Sequence, residues 1–239
     1  MEIEIIKCLQ DNYSYLIIDK KNHTACVVDP SEAKPIISFI EKRKLNLKFI
    51  LNTHHHYDHI GGNIELKERF RSKIVGFKGD KNRIPEIDFL VEDNQIWKKD
   101  NFEAKIYHVP GHTSGHITFH FFNEKKIFTG DTLFSLGCGR IFEGTHKQMY
   151  ESLKRIKELP KDTEIYCGHE YTLQNSNFCI LNDPKNSKLK EKILKIKKKI
   201  SNNQPTIPTI LSDELDCNIF LKAEDVESFS KLRELKDNF

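Results

Sequence analysis

The segment Thr53-His54-His55-His56-Tyr57-Asp58-His59-Ile60-Gly61-Gly62 puts four candidate metal ligands, His54, His56, Asp58 and His59, within six positions. Imidazole and carboxylate are the donors that suit Zn, Fe or Mn. On a loop leaving a strand, alternate side chains point at one centre, so His54 and His56 read as sharing one ion. Asp58 and His59, at the turn into a helix, read as reaching another. Gly61 and Gly62 mark a place where backbone must pass closely.

Three further segments each offer one ligand directly after a glycine: Pro110-Gly111-His112-Thr113-Ser114-Gly115-His116, Thr129-Gly130-Asp131-Thr132-Leu133-Phe134 and Cys167-Gly168-His169-Glu170-Tyr171. Glycine lets the chain turn sharply at a strand end and present the next side chain inward. A single histidine after a strand is more often a satisfied turn residue. Seven such residues from four strand ends are what a dinuclear site needs if Asp131 bridges the ions. The carboxylates Asp58 and Asp131 are the candidates for a direct part in catalysis. Eight of the 11 histidines fall between His54 and His120. Of the non-ligands, His55 and His116 read as groups that fix the loops, and His23, His108, His120 and His146 as strand or surface residues. Thr53 and Thr132 read as orienting the ligands beside them.

The elements that must carry these loops alternate. Residues 2–7, 13–19 and 24–29 read as short strands separated by turn residues. Ile36, Ile37 and Ile40 predict a helix to about Lys44, followed by a strand over 48–52. A helix over 63–70 follows, then strands near 74–77, 105–109, 117–122 and 126–129. Thr145-His146-Lys147-Gln148 is a capping box opening a helix lined by Met149, Leu153 and Ile156. Up to a strand over 164–167 this is an α/β layered pattern, with residues 1–173 as the catalytic domain. Residues 174–239 read as a mostly helical appended subdomain. Within it Leu189, Ile193, Ile196 and Ile200 give an amphipathic helix whose lysine-rich face reads as solvated rather than as a nucleic-acid surface.

Composition bounds the rest. The 239 residues include 38 basic and 35 acidic side chains and a formal charge of +3, which does not indicate a cationic nucleic-acid binder. No stretch is apolar for long enough to span a bilayer, and the alternating start Met-Glu-Ile-Glu-Ile-Ile-Lys is unlike a signal peptide. A cytoplasmic monomer with no membrane or nucleic-acid partner is therefore expected. Six scattered cysteines without a Cys-x-x-Cys pair read as reduced thiols.

The order of these motifs resembles the metallo-β-lactamase superfamily. Within it, Gly137-Cys138-Gly139-Arg140-Ile141-Phe142-Glu143-Gly144-Thr145 and the terminal Leu232-Arg233-Glu234-Leu235-Lys236 are similar to the glyoxalase II, or hydroxyacylglutathione hydrolase, family, and the likeness runs from Asp11 to the last residue. The resemblance implies an αββα sandwich with a C-terminal helical subdomain, and two divalent ions, zinc first, with iron or manganese as alternatives. It assigns His54, His56 and His112 to one ion, Asp58, His59 and His169 to the other, and Asp131 to both. It further implies glutathione contacts from Arg140, Phe142, Tyr171, Arg233 and Lys236, since two terminal carboxylates call for cationic partners. Phe142 is a tyrosine in some relatives, and the connection before Arg233 looks shorter than in some bacterial ones.

The reaction so implied is hydrolysis of S-D-lactoylglutathione to D-lactate and glutathione, a step of methylglyoxal detoxification. A water acidified between the ions would attack the thioester carbonyl. Three other readings compete: a glutathione persulfide dioxygenase of the same superfamily, a β-lactam hydrolase and an RNA-processing metallo-nuclease. Metal storage fits least, because the ligands come from several strand ends.

Overall fold

β1 (Glu2–Cys8), β2 (Asn12–Asp19) and β3 (Thr24–Val28) pair antiparallel, as their Ile- and Val-rich runs and polar turns predict. A computed structural model describes all residues from Met1 to Phe239. They form two compact units, Met1–His108 with Gly115–Glu124, and Val109–Ser114 with Lys125–Phe239.

In the first unit α1 (Ala33–Arg43) leads to β4 (Asn46–Leu51), and Lys44, in the left-handed conformation (φ 51°), closes the helix. The single turn α2 (Tyr57–Ile60) and α3 (Asn63–Phe70) precede β5 (Lys73–Phe77) and β6 (Phe89–Val91). The strands make one sheet in the order β1-β2-β3-β4-β5-β6, parallel from β3 onward. Ile36 and Ile40 of α1 and Leu66 of α3 pack with Ile50 and Ile74 of the sheet. Each buried side chain of this size contributes about 1.5–3 kcal/mol. The other face of the sheet meets β7 (Ile96–Lys99), β8 (Phe102–His108) and β9 (Ile117–Phe121), which pair antiparallel in that order. Phe49 of β4 is edge-on to Trp97 of β7 at 5.2 Å and to Phe102 of β8 at 6.3 Å between ring centres, so the two sheets pack face to face. β6 and β7 escape the periodicity reading: they span three and four residues and stay in place through their neighbours.

In the second unit β10 (Lys126–Gly130) leads into a hairpin of β11 (Leu133–Phe134) and β12 (Gly137–Cys138). α4 (His146–Lys157) starts at the expected capping box: the Thr145 side chain accepts from the Gln148 N–H, and the Gln148 side chain accepts from the Thr145 N–H. β13 (Glu164–Cys167) is parallel to β10. α5 (Thr172–Asn182) and α6 (Ser187–Ser201) follow, then β14 (Thr209–Ile210), antiparallel to β13, and α7 (Leu211–Cys217), α8 (Ile219–Lys222) and α9 (Val226–Asp237).

α6 buries Leu189, Ile193 and Ile196 and exposes most of its lysines, as expected. Lys192 is the exception. Its ammonium donates to Oε1 of the fully buried Glu214 at 2.6 Å, and Glu214 Oε2 accepts from the Leu136 N–H at 2.7 Å. A buried ion pair thereby ties the turn of the β11–β12 hairpin to α6 and α7. All six cysteines are free and buried. No helix is long and apolar enough to cross a membrane.

Candidate metal centre

In the first unit the candidate ligands cluster at the end of β4. Asn52, Thr53 and His54 follow the strand and are fully buried. The parallel register sets Val28 beside Leu51, so Asp29 emerges next to them. The Asp29 carboxylate accepts the Thr53 N–H at 2.8 Å, the Thr53 hydroxyl at 2.6 Å and His59 Nδ1–H at 3.0 Å. With its own proton given to Asp29, the Thr53 hydroxyl accepts from Nδ1–H of His54 at 3.0 Å. The expected orienting role of Thr53 therefore has a geometry. With Nδ1–H so engaged, both His54 and His59 keep their lone pair on Nε2.

Nε2 of His54 comes within 3.1 Å of Nδ1 of His56, and Oδ2 of Asp58 lies 3.6 Å from Nε2 of His59. Asn12 donates to the Asp58 carboxylate at 3.0 Å and to its backbone carbonyl at 3.1 Å. His55 has its ring 5.0 Å from that of His56 and its Nδ1 3.5 Å from Oδ2 of the fully buried Asp80. His116 is fully buried and stacks on His54 at 4.6 Å, the supporting position anticipated for it. The Gly61–Gly62 pair is needed for space rather than for φ. A Cβ on Gly61 would lie 2.5 Å from the Ser31 carbonyl oxygen, and the Gly62 N–H donates to the Pro30 carbonyl at 2.8 Å. Ligand atoms of Asp29, His54 and His59 lie within 4.8 Å of one another. Because the Asp29 carboxylate already accepts three hydrogen bonds, it holds the ligands rather than joining them.

The second unit brings His112, Asp131 and His169 together. Gly111 (φ 152°) and Gly130 (φ 47°) adopt the backbone that the glycine-led turns require, whereas Gly168 does not have a positive φ. Oδ2 of Asp131 lies 3.5 Å from Nε2 of His112 and 3.3 Å from Nε2 of His169. All three residues are at least nine-tenths buried. His112 Nδ1–H donates to the Arg140 carbonyl at 2.8 Å, which leaves its Nε2 bare as well. Thr132 acts on the strand before the ligand, its hydroxyl 3.5 Å from the Val109 carbonyl. Clustered imidazole lone pairs and carboxylates with their protons fixed elsewhere are the donor set of a divalent cation site.

The side chains expected to contact a substrate diverge. Tyr171 stacks on His169 at 4.7 Å with an interplanar angle of 5°, and Phe142, 63% exposed, stands edge-on to His112 at 5.2 Å. The Arg140 side chain is exposed, its Nε 3.8 Å from Oδ1 of Asp237. Lys236 lies over the rings of Phe178 and Phe239, where burial and the nearby Arg233 lower its pKa. Arg233 is the most enclosed of these side chains. It is 2% exposed, and its guanidinium donates to the Cys138 carbonyl and to Asp237, both at 2.8 Å.

Asp29, Asn12, Asp80 and Glu214 escape the reading of the sequence. For Asp29 a signal exists: an aspartate at the end of the strand that runs parallel to the ligand-bearing one. The others meet their partners from distant positions, and no local pattern marks them.

A family model described as the metallo-beta-lactamase superfamily matches residues 10–169, and one described as the hydroxyacylglutathione hydrolase C-terminus matches residues 170–239. The chain is 64% identical over 239 residues to a hydroxyacylglutathione hydrolase of Pelagibacter ubique (strain HTCC1062), covering all of both chains. It is 40% identical over 253 residues to the protein of the same name from Methylococcus capsulatus, covering all of this chain and 99% of that one. Among solved structures, that of ETHE1 from Myxococcus xanthus superposes with a TM-score of 0.75 over 98% of this chain and 90% of that one, at 24% identity, a likeness of fold.

Proposed function

Since the chain belongs to the metallo-beta-lactamase superfamily and to the hydroxyacylglutathione hydrolases within it, we propose that it hydrolyses S-D-lactoylglutathione to D-lactate and glutathione. The observation that carries this reading is the presence in one chain of that imidazole and carboxylate donor set and of the C-terminal segment of this family.

The proposed ligands are His54, His56 and His112 for one ion, Asp58, His59 and His169 for a second, and Asp131 for both. Two divalent ions, zinc first, or iron or manganese through the same donors, supply when bound an activated water and positive charge opposite a developing oxyanion. The protein's part is to hold the lone pairs ready. Asp29 fixes His59 directly and His54 through Thr53, the Arg140 carbonyl fixes His112, and Asn12 fixes Asp58. Thioester hydrolysis breaks the carbonyl–sulfur bond, and the departing thiolate, with a reference pKa of about 8.5, needs no strong general acid. That agrees with a set of motifs lacking a further carboxylic acid.

Glutathione carries two carboxylates. Arg140, Arg233 and Lys236 are the proposed cationic partners, with Tyr171 and Phe142 flanking the peptide. Residues 1–173 then supply the chemistry and residues 174–239 part of the substrate grip. Six buried, free thiols suit a reducing compartment, in keeping with a cytoplasmic enzyme. The test is the loss of thioester absorbance with S-D-lactoylglutathione. Turnover by the unaltered protein and its loss in His56→Ala are expected. No turnover, with oxygen uptake on glutathione persulfide instead, would move the reading to a persulfide dioxygenase.

A further inference from the structure

The β11–β12 hairpin begins two residues after Asp131, and helices of the same unit fasten its turn. Glu214, fully buried, is the node of that fastening. Its Oε2 accepts from the Leu136 N–H at 2.7 Å and from the Asn218 amide at 3.1 Å. Its Oε1 accepts from Ser135 at 3.2 Å and from Lys192 and Thr209, both at 2.6 Å. Asn218 also donates to the Phe134 and Gly137 carbonyls, at 3.3 and 3.1 Å. Such a node is stiff, because releasing any one of its members leaves a buried polar group without a partner.

The turn that bears Asp131 is closed separately. The Thr129 hydroxyl donates to the Leu133 carbonyl at 2.8 Å, and the Thr132 N–H donates to the Thr129 carbonyl at 3.1 Å. Those bonds hold the ligand turn on β10 itself, so the Glu214 node acts on the residues beyond it. The side chain it holds in place is Phe134. That ring is 5% exposed and stands edge-on to Tyr171 at 5.4 Å and to His169 at 6.1 Å. Tyr171 lies parallel to His169, so Phe134 abuts both rings of the stack in the tilted geometry that aromatic pairs favour.

We infer that Phe134 is a positioning residue for Tyr171: fastened through Glu214 and Asn218, the hairpin sets the Phe134 ring against Tyr171 and keeps Tyr171 flat on His169, in the orientation in which it meets glutathione. This rests on the reading of Tyr171 as a glutathione contact. An aromatic pair of this kind is typically worth about 2- to 10-fold in an equilibrium.

The test uses the full chain with Phe134→Leu and Phe134→Met, which keep an apolar side chain, together with Tyr171→Ala and the double variant Phe134→Leu/Tyr171→Ala. The readouts are kcat and KM for S-D-lactoylglutathione, glutathione affinity by calorimetry, and zinc affinity by competition with a chromogenic chelator. Both Phe134 variants are expected to raise KM and weaken glutathione binding by about 3- to 10-fold, with kcat and zinc affinity staying within about 2-fold. In the Tyr171→Ala background, Phe134→Leu should add less than about 2-fold, because the ring it positions is gone. Asn218→Ala, which releases the Phe134 and Gly137 carbonyls, should raise KM in the same sense. An unchanged KM in the Phe134 variants, or an equal effect with and without Tyr171, would overturn the inference. Failure of both Phe134 variants to fold would also overturn it, since the proposed effect is confined to Tyr171. Should the unaltered protein bind glutathione but show no thioester turnover, the functional reading fails while the glutathione affinities still decide the role of Phe134.

Discussion

Oδ2 of Asp131 lies 3.3 Å from Nε2 of His169. The same oxygen is 3.5 Å from Nε2 of His112, so one buried carboxylate atom stands between two imidazole nitrogens. In the proposed centre this carboxylate would serve both ions. Asp131→Asn keeps the volume and removes the charge. It is expected to bring turnover to background and to lower the metal retained after dialysis, read by elemental analysis. Full metal content with normal turnover would remove Asp131 from the centre.

Asp29 accepts three hydrogen bonds, two from Thr53 and one from His59. In Asp29→Asn one acceptor becomes a donor facing donors, so at least one of the three loses its partner. The expected cost is about 1–3 kcal/mol of stability in the metal-free protein by denaturant unfolding. A drop in zinc affinity of about 10-fold or more should accompany it. An unchanged affinity would show that His59 needs no such support.

Lys192 is the cation of the buried pair with Glu214. Removing it in Lys192→Met strands a charge among fully buried neighbours and is expected to destabilise by about 3–5 kcal/mol. Adding Glu214→Gln to that variant should recover part of the loss, because the uncompensated charge goes with it. A double variant less stable than the single one would contradict the assignment.

His120 is buried directly opposite Lys105 across the β8–β9 pair, packed against Tyr107 and Phe122. Neither ring nitrogen has a hydrogen-bond partner. Burial, with a smaller contribution from Lys105, pushes its pKa down to about 4 from 6.5. Its contribution to stability is therefore complete above about pH 6.5. It is lost as pH falls towards 4, because the unfolded chain takes up the proton first. His120→Gln should lose less stability between pH 7 and pH 5 than the unaltered protein, both metal-free and compared by urea unfolding. Equal losses would mean that His120 titrates normally.

The strand and helix pattern was legible where periodicity ran for five residues or more, as in β2, α3 and the capping box of α4. β6, β7 and the β11–β12 hairpin were not, because two to four residues carry no period and only neighbouring strands or Glu214 keep them in place. At the centre, glycine-led turns pointed to His112, Asp131 and His169, and the geometry of His54, Thr53 and Asp58 follows from their loop. Arg233 reads as a terminal cation; its fork meets Asp237, four residues on along its own helix, and the Cys138 carbonyl, a partner from a distant position that no local pattern marks.

The most direct test of the account is metal add-back: strip the protein with a chelator, restore zinc in measured equivalents, and follow S-D-lactoylglutathione hydrolysis. The account predicts negligible turnover in the stripped protein and a rise that levels off at about two equivalents per chain. Undiminished turnover after stripping, or a plateau at one equivalent, would contradict it.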